Sequence, residues 1–139
     1  MEREPLHVEV VAADRQVWKG DAVNIIVRTT EGDIGILPGH EPILAALVPC
    51  AATIITNDGK QEVIAVDGGF IAVNPGGRVS ILAQYASTSD EFSVEEAQRV
   101  LDETRRKRDR NEETDEDVHR WHLAKAQMAA SRKLGRTQE

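Results

Sequence analysis

A chain of 139 residues with net charge −7 has room for one domain with its own core plus a smaller appendage. The acidic body argues against nucleic acid as the main partner, because phosphate would be repelled. Cys50 is the only cysteine, which excludes an internal disulfide and suits a reducing compartment. The charge is unevenly spread. Residues 118–139 carry five basic side chains against one acidic, while residues 1–117 carry 23 acidic and 12 basic. A basic tip on an acidic protein suits an acidic protein surface as its target. No run approaches the roughly 18 apolar residues that a membrane helix needs. The polar start, Met1–Pro5, lacks the apolar core of a signal peptide. The expectation is a soluble chain whose membrane link passes through a partner, without direct insertion.

Residues 6–84 read as successive short strands. Leu6, Val8, Val10 and Ala12 alternate with His7 and Glu9, and Asp14-Arg15 turns the chain. Val17-Trp18 follows, with Lys19-Gly20-Asp21 as the next expected turn. Val23, Ile25 and Val27 share one face of a further strand. Gly32–Pro42 comes next: a short strand through Ile34 and Ile36, then Pro38-Gly39, where proline presets φ and glycine accepts a positive φ. Gly35 inside this strand reads as a packing or docking position, since a strand glycine often marks close approach of another backbone.

Ile43–Val48 is closed by Pro49. Ala52, Ile54 and Thr56 lead into Asn57-Asp58-Gly59-Lys60, a strong hairpin signal. Val63–Val66 returns, Asp67-Gly68-Gly69 turns into Phe70–Val73, and Asn74–Gly77 turns into a last strand of Val79, Ile81 and Ala83. Eight to ten short strands at this spacing predict a β sandwich or barrel.

The period changes near residue 90. Ser93 with Glu96 three residues on predicts a capping box, and Val94, Ala97, Val100, Leu101 and Thr104 fall at helical spacing. Acidic residues come early and basic ones late, as the helix dipole favours, and Asn111 is a reasonable stop. Thr114 can cap a second helix that ends at Gly135. On it, Val118, Trp121, Lys125 and Met128 are expected to form the packing stripe, with Leu123, Ala126 and Ala130 beside it. Joined by a short acidic loop, the helices should pack antiparallel. So alanine-rich a helix predicts weak docking and a hairpin able to detach.

Catalytic chemistry is not visible. His40-Glu41 opens like a zinc-protease signature, but Leu44 stands where the second histidine belongs and Pro42 would break the helix. His119 and His122 could share a helix face, yet no third ligand is fixed nearby, so a solvated surface is the simpler reading. Cys50 reads as a small apolar filler. There is no nucleophile elbow and no Walker loop. No metal and no cofactor are expected, and the chain reads as a binding or regulatory module.

Several segments together are similar to the epsilon subunit of bacterial F-type ATP synthases. They are Leu6–Val11, Glu31–Pro42, Asp67–Phe70, Val79–Ala83 and Leu123–Ala126, in that order over about residues 4–134. The resemblance implies a ten-stranded β sandwich over 1–88 that docks on the gamma subunit and the c-subunit ring. It implies a regulatory helical hairpin over 89–139. It places Glu31 and Asp33 at the ring-facing end and His40 near gamma. The alternatives are a plain solvated turn for the acids and a turn histidine bonding its own loop for His40.

It further implies a non-catalytic rotor subunit that couples proton-driven rotation to ATP synthesis, peripheral on the cytoplasmic face of the bacterial plasma membrane. The second helix would restrain hydrolysis by inserting among the alpha and beta catalytic subunits. Arg120, Lys125, Arg132, Lys133 and Arg136 have the right sign for that contact, and a solvated helix face is the alternative. Some relatives bind ATP through an aspartate and an arginine at the start of the first helix. Here Ser93 and Glu96 stand in those places, so no nucleotide site is expected. The competing reading is a free-standing sandwich that binds a small ligand or carbohydrate. An enzyme is the least favoured.

Overall fold

The computed structural model describes residues 4–136. Nine strands precede two helices: β1 Leu6–Ala12, β2 Arg15–Thr29, β3 Gly32–Ile36, β4 Ile43–Leu47, β5 Cys50–Thr56, β6 Gln61–Val66, β7 Gly69–Asn74, β8 Arg78–Leu82, β9 Ala86–Thr88, α1 Val94–Asp109 and α2 Asp115–Lys133. One layer runs β1-β8-β7-β4 and the other β3-β2-β5-β6-β9. Between them lie the residues whose alternation is read in the sequence, among them Val8, Val10, Ile25, Ile36, Ile54, Ile64, Ile71 and Ile81, all at most 2% exposed. Burying so many branched side chains on period-2 faces is what drives the sandwich together.

The strand count differs from the ten that the resemblance implies, because β2 runs unbroken. Lys19-Gly20-Asp21 does not turn. It stays paired with Glu9, Val8 and His7 of β1. Gly20 serves a different purpose there: a Cβ would lie 2.8 Å from the Trp18 ring, which packs across it. The first half of β2 pairs with β1 and the second with β3 and β5, with a register irregularity between Ala22 and Asn24. One long strand thus serves both layers. β9, only three residues, escaped the sequence reading because it is too short to show alternation.

The helix ends follow local chemistry. Ser93 accepts the Glu96 amide at 3.1 Å, one half of the expected capping box. Asn111 ends α1 in the left-handed region at φ 57°. Thr114 and Asp117 make a complete box at the start of α2. After α2, the Arg136 amide returns to the Ser131 carbonyl at 2.8 Å, with Gly135 at φ 75°. That closes the Schellman-type stop expected there.

The stripe by which α2 packs differs from the expected one. Ala124, Ala126, Ala130 and Ser131 are buried, while Lys125 is exposed and Trp121 and Met128 are only half-buried. Apolar residues lie all around this helix, so the sequence pattern does not single out one face. The neighbour decides. Ala126 and Ala130, with Leu123 and Ala129, close a second small core over Ala51, Val63, Ala65 and Phe92. The hairpin is therefore folded down on the β5–β6 side of the sandwich.

Candidate functional site

The two outer faces of the sandwich differ. On the β5–β6 face, Ala51, Val63 and Ala65 lie under α2. On the opposite face, Leu44, Phe70 and Leu82 stand 74%, 52% and 48% exposed. Strand register brings these three together. Phe70 pairs with Ala46 and with Leu82, and Leu44 pairs with Ala72. Side chains of paired residues share a face, so Leu44, Phe70 and Leu82 form one apolar surface across β4-β7-β8. Leu37, 56% exposed, adds to the exposed apolar residues from the end of β3. Toward β1 and β2 the same face becomes polar, with a groove of about 640 Å³ lined by His7, Glu9, Lys19, Asp21 and Arg78.

Gly69 fixes where this face begins. A Cβ there would fall 1.9 Å from the Leu82 carbonyl oxygen, and φ is 108°. Only glycine lets β7 start so close to the end of β8. Gly35 is the contrary case. It is exposed, and the nearest atom to an added Cβ is Asn24 Oδ1 at 3.9 Å. Among the described residues nothing crowds the place of a Cβ there, so the expected close packing of another backbone is not found.

The acids read from the sequence sit at the tip of the β2–β3 hairpin. Thr29 Oγ1 donates to the Gly32 carbonyl at 2.8 Å and accepts the Glu31 amide at 3.1 Å, which sets the turn. Glu31 projects exposed, with no side-chain partner among the described residues. Asp33 is not alone. Arg28 Nε donates to it at 2.8 Å, and that bond is the main cause of a carboxyl pKa below the usual range. His40 lies in the turn after Leu37. Its Nδ1 meets the Glu41 carbonyl at 2.6 Å, so Nδ1 carries the proton and donates. The histidine thus does bond its own loop, and Nε2 is left as the other ring nitrogen for a partner.

The five basic residues of the tip are placed unequally. Arg120 donates to Asp117 at 3.1 Å and to Glu103 at 3.3 Å, tying α2 to α1. Lys133 Nζ donates to Thr53 Oγ1 at 2.9 Å and to the Ala51 carbonyl at 3.3 Å. Arg136 donates to the Ser89 and Phe92 carbonyls at 2.6 and 3.1 Å. Lys125 lies over the Trp121 ring at 4.4 Å. Arg132 is exposed beside a groove of about 300 Å³ shared with Arg28, Asp33 and Lys133. Two of the five, Lys133 and Arg136, are thus engaged in holding the hairpin down, while Arg120 ties its two helices together; sequence reasoning missed the first role because the partners are distant in the chain.

Two further residues escaped it. Asp117, with a side chain 4% exposed, accepts from the Thr114 amide, Lys107 and Arg120. Its pKa is lowered to about 2, first by the Thr114 backbone bond. The sequence signal was present: an acid three residues after a threonine cap. Asp67 accepts from His119 Nδ1 at 2.8 Å, across 52 residues, with no signal to find it.

At the degenerate nucleotide window, Ser93 is engaged in capping α1 and Glu96 is exposed. Arg136, which lines the groove beside Ser93, is bonded to backbone. Cys50 lies in the core, and burial pushes its thiol pKa up, which fits a filler rather than a nucleophile.

Comparison with known proteins agrees with this architecture. The family described as ATP synthase, Delta/Epsilon chain, beta-sandwich domain matches residues 5–89. The chain is 57% identical to the ATP synthase epsilon chain of Cutibacterium acnes, over 98% of each. The chain belongs to the bacterial ATP synthase epsilon chains. To that of Streptomyces avermitilis it is 46% identical, covering 81% of this chain and 90% of the other. Among solved structures it is similar to a chain of the Euglena gracilis mitochondrial ATP synthase, in a complex of OSCP, F1 and c-ring. The TM-score is 0.72 at 25% identity, covering 96% of this chain and 84% of that one. As a member of this family the chain is a subunit of the synthase and is not itself catalytic. Among the described residues, no helix is long and apolar enough to cross a membrane.

Proposed function

We propose that the chain is a central-stalk subunit that rotates with gamma and the c ring and couples proton-driven rotation to ATP synthesis. The observation that carries this reading is the open apolar face of Leu44, Phe70 and Leu82, on the side of the sandwich away from α2. Contiguous exposed apolar surface of this kind marks a protein interface. We assign it to gamma, with His40 Nε2 at its margin. Glu31 is the acidic contact for the polar loops of the ring. Asp33, already neutralised by Arg28, contributes less. Residues 1–88 are on this reading the rotor-docking unit and 89–139 the regulatory one. The subunit lies peripherally at the cytoplasmic face of the bacterial plasma membrane.

The hairpin restrains hydrolysis by lifting from the sandwich and reaching the alpha and beta subunits. In the folded state Lys133 and Arg136 are occupied by the sandwich and its connecting segment, so lifting is what frees them for an acidic surface. Nucleotide does not gate this step. The window at Ser93 and Glu96 lacks the arginine an anion needs, and a sub-millimolar ATP affinity in calorimetric titration of the full chain would contradict that statement.

Co-purification tests the rotor role. The chain should come down with gamma and with ATPase activity, and a chain that binds neither is not a rotor subunit. Deletion of residues 111–139 tests regulation. ATP hydrolysis by the assembled complex should rise, and an unchanged rate leaves coupling as the only role.

A further inference from the structure

The folded hairpin meets the sandwich through a thin, alanine-rich contact, so its few polar bonds carry much of the choice between folded and lifted states. Gln127 Nε2 donates to Ser87 Oγ, Lys133 to Thr53 and Ala51, and Arg136 to two carbonyls. Each of these acceptors is neutral. One bond differs. His119 Nδ1 donates to Asp67 Oδ2 at 2.8 Å, and the Asp67 side chain is 2% exposed.

The carboxylate is held ready by the sandwich. The Asp67 amide donates to the Tyr85 carbonyl at 3.1 Å, and the Tyr85 amide donates back to Oδ1 at 3.1 Å. The Gly68-Gly69 turn that follows, with φ of 122° and 108°, fixes the backbone beside it. Oδ1 is thereby used within the sandwich, and Oδ2 is left for α2. The Tyr85 ring meets the imidazole edge-on at 5.7 Å, which sets the ring's orientation. A hydrogen bond to a charged acceptor is stronger than a neutral one such as Gln127–Ser87; the Lys133 and Arg136 bonds gain charge assistance from their donors, and His119–Asp67 differs from all of them in ending on a buried, preorganised carboxylate.

We propose that the Asp67–His119 bond is a releasable pin that holds the regulatory hairpin on the sandwich and sets how often it lifts. The proposal rests on the reading that the hairpin moves. Asp67 is the fixed half and His119 the moving half. Breaking the pin leaves the rest of the sandwich intact, because His119 is itself 44% exposed and outside the main core.

The test uses the full chain with Cys50→Ala, so that one introduced thiol is the only one present. Ala130→Cys puts that thiol under α2, where Ala130 is 0% exposed, and its reaction rate with a thiol reagent reads the fraction lifted. His119→Ala should raise the rate about tenfold, the worth of a hydrogen bond to a charged group. Asp67→Ser should raise it as much, and the double variant no further, because the two residues act through one bond. His122→Ala, three residues along α2 and with its ring tilted against that of Trp121 at 5.4 Å, should leave it unchanged.

An unchanged rate in His119→Ala, an equal rise in His122→Ala, or fully additive effects would each overturn the pin. The urea midpoint of the sandwich should stay the same in His119→Ala, and a falling midpoint that accounts for the faster labelling also overturns it. ATP hydrolysis by the assembled complex separates the two readings. If labelling speeds up as expected and hydrolysis does not change, the pin stands and the regulatory role fails.

Discussion

The covered and open faces of the sandwich are built from different residues. Under α2 the strands present Ala51, Val63 and Ala65, and the helix answers with Ala126 and Ala130. Small side chains let a helix lie close, but they remove little apolar area from water, so the contact is thin. On the far side the strands present Leu44, Phe70 and Leu82, each about half or more exposed. Large apolar side chains left in water suit a partner that stays. The difference teaches that side-chain size sets how much apolar area each face of one sandwich can offer: little under α2, much on the open side.

The comparison breaks most sharply on the open face. Phe70→Asp should weaken binding to gamma by at least about 2 kcal/mol, roughly thirtyfold, as loss of an interface anchor does. Thermal unfolding of the free chain should barely move, since Phe70 is already half-exposed. Titration calorimetry against gamma and a melting curve read the two halves. If the melt drops and binding holds, the face is structural.

Overpacking probes the covered face. Ala126, 1% exposed, has no room for Leu, and Ala126→Leu should weaken hairpin docking by about 1–3 kcal/mol. Protease cleavage within residues 123–134 should quicken while the sandwich core stays protected. Equal protection in both would mean that the hairpin contact is not thin.

Acid gives a third probe. Asp117 titrates at about 2 in the folded chain against an ordinary 3.8. Its folded-state pKa is depressed, so it stabilises the hairpin above about pH 4, and that contribution is lost as pH falls toward about 2. Helix content followed by circular dichroism should fall in that window, and Asp117→Asn should show the loss already at neutral pH.

The smallest effect belongs to the ring-facing tip. Glu31→Gln should weaken association with the c ring more than Asp33→Asn does, because Arg28 already neutralises Asp33. Exposed ion pairs contribute at most about 1 kcal/mol, so the difference should appear at low salt and vanish at high salt. A larger effect from Asp33→Asn would reverse their assigned weights.

Much of the fold was legible. Alternation marked the strands through Val8–Val10, Ile25–Val27 and Val79–Ile81, because burying one face of a strand imposes period two on the chain. The Asp58-Gly59 turn and the caps at Ser93 and Thr114 are local chemistry, written within a few residues of one another. Three features were not legible. Lys19-Gly20-Asp21 has turn residues yet stays extended, since pairing with β1 outweighs local preference. β9 forms because β6 offers it an edge. The packing stripe on α2 was misassigned because alanines on several sides look equivalent until a neighbouring surface selects among them.

For the candidate site the division is similar. The Glu31–Pro42 stretch could be singled out from its glycines and prolines, but whether Gly35 faces inward or outward could not. The basic tip was visible as composition, yet the engagement of Lys133 with Thr53 and of Arg136 with Ser89 was not. The sequence by itself determined the strands, the helix ends, the acidic body and the basic tip, because each depends on neighbours along the chain. Only the tertiary structure decided which face of α2 is buried, which face of the sandwich stays open, and that Asp67 meets His119. Those outcomes depend on residues tens of positions apart, and chain folding alone brings them together.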